Sequence, residues 1–199
     1  MYTITHSTTE ISSRNYIDQY RDTTRFIGYC KACDRYGRCW ACPPFEFDSE
    51  SYIPSDGYIY IIGTKISFTP HLISTNTDSG QCVHIATQII KEVRVELDQK
   101  LVALEKVFPG SKAFFAGTCL LCDKEQCTRI KDQPCITPKQ IRPSLEAIGF
   151  DVAKSAEELL NIPLKWGDKN RLPEYITLVS GFFCNKKIPL FFLNTDLSL

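Results

Sequence analysis

The stretch Gly57-Tyr-Ile-Tyr-Ile-Ile-Gly-Thr-Lys-Ile-Ser-Phe68 carries the most information about the fold of this chain. β-Branched and aromatic residues dominate it, and such residues are typical of a strand that is buried on at least one face. The sequence therefore predicts a β-strand over 57–68, and the remaining elements are placed around it.

A long helix is predicted downstream of this strand, over residues 83–107. Its apolar residues recur every three or four positions, which is the period of an amphipathic helix; they are Ile85, Ile89, Val93, Leu97, Leu101 and Leu104. Phe108-Pro109-Gly110 follows and is a typical helix end. Upstream of the strand, residues 15–26 are predicted to be weakly helical.

The other predicted elements are short. In chain order they are a strand over 112–117, a helix over 143–148, a helix capped by Asp151 and stopped by Pro163, a strand over 174–183 and an edge strand over 188–193. This order predicts an α+β fold, with a mainly antiparallel sheet covered by helices on one face. Two cysteine-rich loops are expected at the end of the sheet, and residues 1–199 are expected to form a single domain.

The composition excludes several classes of protein. Of the 199 residues, 43% are hydrophobic and 23% are charged, which is typical of a globular chain. The 23 basic side chains are balanced by 23 acidic ones, whereas nucleic-acid and membrane-surface binders need an excess of positive charge. We therefore expect neither nucleic acid nor a membrane as a partner. The first residues do not form a secretory leader, and no apolar run approaches the roughly 20 residues that span a bilayer, so a cytoplasmic protein is predicted.

Eight of the ten cysteines fall into two short clusters. Reducing conditions in the cytoplasm disfavour structural disulfides, so clustered cysteines point to metal. The first cluster has the spacing C-x2-C-x5-C-x2-C and the second has C-x2-C-x4-C-x7-C. A Cys-x-x-Cys pair directs two thiolates at one site, and four such soft ligands suit zinc or an iron–sulfur cluster. The predicted metal ligands are Cys30, Cys33, Cys39 and Cys42 in the first cluster and Cys119, Cys122, Cys127 and Cys135 in the second.

The spacing favours iron–sulfur but leaves zinc open. Four-cysteine zinc sites commonly separate their two Cys-x-x-Cys pairs by about 15–20 residues, whereas only five residues separate the pairs of the first cluster. Pro43 follows Cys42, as a proline follows the last cysteine of the bacterial ferredoxin motif, and the second cluster looks like a loosened version of that motif. We therefore expect iron–sulfur clusters of the [4Fe-4S] type, with zinc as the alternative.

These motifs resemble those of a prokaryotic family described only as predicted metal-binding proteins. The resemblance covers residues 29–183. It is carried by Tyr29-Cys30-x-x-Cys33, Trp40-x-Cys42-Pro43-Pro44, Tyr58 to Lys65, Phe108-Pro109-Gly110, Gly117-x-Cys119-x-x-Cys122 with Cys127 and Cys135, and Arg142-Pro143-Ser144-Leu145-Glu146-Ala147-x-Gly149-x-Asp151-Val152. The resemblance implies metal binding through the eight cysteines and implies no particular reaction.

Four residues outside the two cysteine clusters have simpler interpretations. Cys82 and Cys184 are expected to be core thiols, because a free cysteine behaves as a small buried hydrophobe. Arg142 and Glu146 stand four positions apart and are expected to form an exposed ion pair or a capping interaction in the first turn of a helix. The alternative is that Glu146 points toward the second cysteine cluster.

Three functions remain open on this evidence. The leading hypothesis is an iron–sulfur protein that transfers electrons to a partner, because eight cysteines supply full thiolate ligation to two centres. An enzyme that keeps one iron open as a Lewis acid for a small substrate is the second. A zinc-stabilised interaction module is the third. The partner is accordingly a redox protein or a small molecule, and the sequence identifies neither.

Overall fold

A computed structural model of the chain describes residues 2–75, 78–167 and 170–197. The described residues contain a four-stranded antiparallel sheet with the spatial order β1-β2-β4-β3. Its strands are β1 (Tyr2–Ser12), β2 (Tyr58–Phe68), β3 (Lys112–Phe114) and β4 (Tyr175–Cys184). The α+β class and the antiparallel sheet are thereby confirmed, and β2 lies at a central position because its residues can be buried on both sides.

Helices connect the strands and cover the sheet. In the described ranges they are α1 (Ser13–Tyr20), α2 (Thr23–Lys31), α3 (Pro70–Thr75), α4 (Ser79–Val107), α5 (Val152–Leu160) and α6 (Leu190–Leu197). The predicted long helix is α4, and it begins four residues earlier than predicted because the Asp78 side chain accepts a hydrogen bond from the Gln81 amide at 3.0 Å. Asp151 caps α5 as predicted, through the amide of Lys154.

The sheet is covered by helices on both faces, so the prediction of one covered face is wrong. Side chains of successive strand residues point to opposite faces. Tyr60 and Ile62 of β2 pack in a cluster with leucines of α4 and with Leu193 of α6. Ile59 and Ile61 pack in another cluster, together with residues of α1 and α5. The apolar pattern of a helix identifies its packing face but not the face of the sheet that it covers, so the sequence did not assign α1 and α5 to the second face.

Both ends of the chain differ from prediction. β1 was not predicted, because it lies at the edge of the sheet and its polar residues leave little apolar pattern. Residues 190–197 form the helix α6 instead of an edge strand, and Leu193 is fully buried. Pro189 lies just before this helix, where its missing amide hydrogen costs nothing; its carbonyl oxygen accepts from the amide of Phe192 at 3.0 Å.

The segments beside the second cysteine cluster are less regular than predicted. β3 stops at Phe114, and the amide of Phe115 then donates to the carbonyl of Pro143. The predicted helix over 143–148 is a single 3₁₀ turn, Glu146–Ile148, and it ends at Gly149, whose φ of 97° suits glycine. The second cluster therefore lies in a loop whose two ends, Phe115 and Pro143, are hydrogen-bonded to each other. None of the described helices has the length and hydropathy needed to cross a membrane.

Candidate metal centre

The two cysteine motifs lie in the two longest loops of the structure. Cys30 is in the last turn of α2, and the rest of the first motif follows in the loop that leads to β2. The second motif follows β3 and contains two short 3₁₀ turns, Lys124–Gln126 and Thr128–Lys131. Loops of this kind position side chains without requiring the alternation of a strand or helix, so several cysteines can face one point.

The two loops are hydrogen-bonded to each other. The Nη1 atom of Arg129 donates to the carbonyl oxygens of Cys39 at 2.8 Å and of Cys42 at 2.6 Å, and Nη2 donates to that of Pro44. The guanidinium also lies 5.0 Å from the centre of the Trp40 ring. In return, the indole Nε1 of Trp40 donates to the carbonyl oxygen of Gln133 at 3.1 Å. Motifs separated by more than seventy residues therefore form one unit.

Cysteines of both motifs line one narrow cavity. These are Cys39 from the first motif with Cys119, Cys122, Cys127 and Cys135 from the second. Three of them are almost inaccessible to solvent, since Cys39 is 2%, Cys127 7% and Cys119 8% exposed. Spacing alone had grouped Cys39 with Cys30, Cys33 and Cys42, and it gave no sign of this meeting between the motifs.

The other cysteines of the first motif lead away from this cavity toward the surface. Cys42 is next to Cys39, and its Sγ lies 3.7 Å from the hydroxyl of Thr118. Cys33 is electrostatically close to both Cys42 and Cys30 and is exposed. The eight cysteines thus form a continuous group that runs from the solvent at Cys33 to the buried thiols of Cys39 and Cys119.

Backbone amides point at three of the sulfurs, and each amide belongs to the residue two positions after the cysteine. The amide of Thr137 lies 3.4 Å from the Sγ of Cys135. The amides of Ala41 and Leu121 likewise face the sulfurs of Cys39 and Cys119, two residues before them. Such hydrogen bonds favour the thiolate, which is the form that binds metal.

Contact between the thiols strongly shifts their titration. Hydrogen bonding from Cys119 and Cys42 lowers the pKa of Cys39 to about 2, against the opposing effect of burial. The pKa values of Cys42 and Cys119 rise, because each donates its proton toward the Cys39 sulfur and each is also desolvated. Because Cys42 and Cys119 hold their protons more tightly beside the Cys39 sulfur, a bound cation would favour the release of these protons.

The donor chemistry of this site fits a thiolate-bound metal. Five thiols face one cavity, and sulfur is the ligand preferred by zinc and by iron–sulfur clusters. All ten cysteines are free of disulfides, which leaves their sulfurs available. Across residues 2–75, 78–167 and 170–197, no three His, Cys, Asp or Glu side chains are already arranged around a single ion.

Helix α4 supports the second loop from behind. Arg94 is only 2% exposed, and its Nη1 donates to the carbonyl oxygen of Thr118 at 2.6 Å. Its Nη2 forms an ion pair with Asp98 at 2.8 Å. The hydrogen bond from Arg94 fixes Thr118, the residue directly before Cys119. The hydroxyl of Thr118 also lies 3.9 Å from the Sγ of Cys39. Thr118 therefore touches both cysteine motifs and is held by a buried arginine.

Arg142 and Glu146 do not form the predicted exposed pair. Arg142 instead makes a two-pronged ion pair with Glu105 of α4, with Nε 2.8 Å from Oε1 and Nη2 bonded to Oε2. Glu146 is partly buried with its Oε2 inaccessible to solvent, desolvation raises its pKa, and it lies electrostatically close to Cys30 of the first motif. The chain that follows Cys135 is thus anchored to α4, and the cysteine to which Glu146 lies close, Cys30, belongs to the first motif.

Sequence reasoning missed Thr118, Arg129 and Arg94, which hold the site together. Arg129 follows Cys127 by two residues, but nothing in its spacing reveals a partner ninety residues away. The predictions for Cys82 and Cys184 are confirmed as regards burial. Cys82 is 5% and Cys184 1% exposed, and each packs in an apolar cluster away from the motifs.

Comparison with known proteins gave a match to one family model. Neither the curated proteins nor the solved structures contain a significant match to the chain. A family model described as "Predicted metal-binding protein (DUF2284)" matches residues 17–182. The matched range contains both cysteine motifs, Arg94 and Arg129. The chain therefore belongs to this family of predicted metal-binding proteins.

Proposed function

We propose that the protein is an iron–sulfur protein that passes electrons to a partner. Cys30, Cys33, Cys39 and Cys42 hold one [4Fe-4S] cluster in this proposal, and Cys119, Cys122, Cys127 and Cys135 hold the other. The observation that carries it is the contact of Cys39 with both Cys42 and Cys119, because this contact makes the two groups of four ligands neighbours. When bound, such clusters supply one-electron transfer.

The surroundings of the cysteines suit this role. The buried sulfurs of Cys39, Cys119 and Cys127 are shielded from water, and backbone amides face two of them. Burial and hydrogen bonds to sulfur are the features by which a protein sets the potential of a cluster. Four thiolates for each cluster also leave no coordination position open.

The cysteines differ in exposure, which suggests the side of the site at which a partner binds. Cys33 is exposed, whereas Cys39, Cys119 and Cys127 are buried and Cys122 and Cys135 are partly buried. In the proposal the first group meets the redox partner at the surface, and the second group lies behind it. Ten reduced thiols also fit a cytoplasmic location, where disulfides are disfavoured.

Metal and acid-labile sulfide analysis tests the proposal directly. Protein purified without oxygen should contain iron and sulfide in equal amounts, about eight of each per chain. Reduction should produce the electron paramagnetic resonance of four-iron clusters. Zinc alone, without sulfide, would refute the proposal and leave the zinc-stabilised module in its place.

A further inference from the structure

A second cavity adjoins the cysteine cavity. Its volume is about 380 Å³, which lies within the usual range of roughly 300–1,000 Å³ for small-molecule sites. Trp40, Ala41 and Ile141 form part of the wall of both cavities. A molecule in the second cavity is therefore separated from the cysteines by one layer of side chains.

One wall of this cavity is a row of stacked aromatic rings. The ring centres of Phe45 and Phe47 are 4.5 Å apart with an angle of 21° between planes, and those of Phe47 and Tyr52 are 4.5 Å apart at 30°. Tyr52 in turn meets the core residue Phe114 edge-on. Phe47 is 40% exposed, which is unusual for a phenylalanine that packs between two rings. The stacked rings thus present a flat apolar surface to the cavity, and the contact of Tyr52 with buried Phe114 holds them in place.

The polar residues of the cavity leave one positive charge unbalanced. Arg142 and Glu105 neutralise each other. Lys112 is half-buried, with its Nζ 4.2 Å from the centre of the Tyr52 ring and 2.6 Å from the Tyr52 carbonyl oxygen. In the described part of the chain no carboxylate pairs with this ammonium, and desolvation lowers the pKa of Lys112. A charge in this position favours an anion.

A buried hydroxyl next to Lys112 also lacks a partner. Ser111 lines the cavity, and its buried Oγ makes no hydrogen bond with any described residue. Buried polar atoms without partners are uncommon, because each costs the free energy of desolvation. Because Ser111 directly precedes Lys112 and lines the same cavity, a ligand that binds Lys112 lies beside this residue.

We propose that this cavity binds a small organic anion with a planar ring or conjugated system, whose carboxylate meets Lys112 and Ser111 while its ring packs on Phe47 and Tyr52. The cavity is a binding site distinct from the eight cysteines. Binding of the anion does not require that the metal be iron. A role for the bound anion in electron transfer at the neighbouring cysteines rests on the proposed function.

Titration with benzoate tests this proposal. Isothermal titration calorimetry and saturation-transfer NMR are applied to the full chain, with iron, zinc and sulfide counted in the same sample. Benzoate should bind, whereas benzamide, which has the same shape and no charge, should bind at least about tenfold more weakly, as expected for a lost charge-assisted hydrogen bond. Cyclohexanecarboxylate, an anion without a flat ring, should also bind more weakly than benzoate.

Matched variants locate the site. Lys112→Met and Phe47→Ala should each weaken benzoate binding about tenfold or more, and Phe47 is exposed enough that its replacement should not unfold the protein. Lys65→Met is the control, because Lys65 also lies 4.2 Å from the centre of a tyrosine ring, that of Tyr175, and is outside the cavity. Its affinity for benzoate should equal that of the unaltered protein.

The outcomes separate this proposal from the proposed function. Equal affinity for benzoate and benzamide, absence of benzoate binding, or unchanged binding in both Lys112→Met and Phe47→Ala overturns the cavity proposal whatever metal is present. Selective benzoate binding to a chain that carries zinc supports the cavity proposal and refutes electron transfer.

Discussion

The Nη1 atom of Arg129 lies 2.6 Å from the carbonyl oxygen of Cys42, so an arginine of the second cysteine loop is bonded to the backbone of the first. The same atom also reaches the carbonyl oxygen of Cys39. Planar guanidinium groups can satisfy several carbonyl oxygens at once, which a lysine cannot do in the same geometry. The cysteines of one motif are consequently held in place by a residue of the other.

Replacing Arg129 with methionine should therefore lower the metal content of both motifs. The carbonyl oxygens of Cys39 and Cys42 lose their charged donor, at a cost on the order of 2 kcal/mol of unfolding free energy. Arg129→Lys should restore the charge but only part of the metal content. Metal per chain and urea unfolding are the measurements. Arg38→Met, at an exposed arginine of the first loop, is the control and should match the unaltered protein; equal metal in Arg129→Met would contradict this prediction.

Removal of the metal should loosen the two cysteine loops and leave the sheet and helices folded. The apolar clusters around β2, α4 and β4 contain none of the eight clustered cysteines, and a chain of this size forms its own core. Hydrogen exchange should accelerate in residues 30–45 and 119–138, while most of the far-ultraviolet circular dichroism persists. Complete loss of the helical signal on chelation would show instead that the core depends on the metal.

The success of the sequence predictions followed the strength of the apolar pattern. The strand over 57–68 and the helix over 83–107 were predictable, because each buries a regular set of large apolar residues. β1 was missed because it is a polar edge strand, and the edge strand predicted over 188–193 is wrong because this short apolar segment begins the helix α6 instead. A short apolar segment does not distinguish strand from helix by periodicity alone.

The candidate site was predictable by residue type and not by arrangement. Regular spacing identified the eight cysteines as a set of soft ligands. The meeting of Cys39 with Cys119 depends on Arg129, Trp40 and Arg94, whose partners are backbone carbonyl oxygens in distant segments. Because every residue type carries a carbonyl oxygen, such contacts leave no signature in the sequence.

Serine at Cys184 or Cys82 should destabilise the protein without changing its metal content. Both thiols are buried in apolar clusters, where a hydroxyl that lacks a full set of partners costs about 1–3 kcal/mol of unfolding free energy. Cys184 is the more deeply buried of the two and should show the larger effect. Urea unfolding and metal analysis measure the two quantities separately. A fall in bound metal in either variant would place that cysteine among the ligands.

Cys39→Ser should disturb both metal groups, whereas Cys33→Ser should disturb only the first. Cys39 contacts Cys42 of its own motif and Cys119 of the other, while Cys33 is exposed and lies at the far end of the group. Iron in Cys33→Ser should fall to about four per chain, and in Cys39→Ser it should fall below that value. Iron analysis after anaerobic reconstitution provides the measurement. Equal iron content in the two variants would show that the motifs bind metal independently.

Replacing Cys127 with serine decides between electron transfer and open-site catalysis. Cys127 is the least regularly placed cysteine of its motif, yet it is 7% exposed, and its thiol is close to that of Cys122. Oxygen is a harder ligand than sulfur and binds the iron of such sites poorly, so full thiolate ligation predicts loss of the second cluster in Cys127→Ser. The same loss is expected for serine at Cys119, Cys122 or Cys135.

Cys184→Ser, a buried cysteine outside the motifs, should keep both clusters and serves as the control. Electron paramagnetic resonance of the reduced, anaerobically reconstituted variants reads the outcome. If one of the four motif variants retained an unchanged four-iron signal, three thiolates would suffice at the second cluster, one iron would be open to substrate, and the enzyme would replace electron transfer as the better account of this protein.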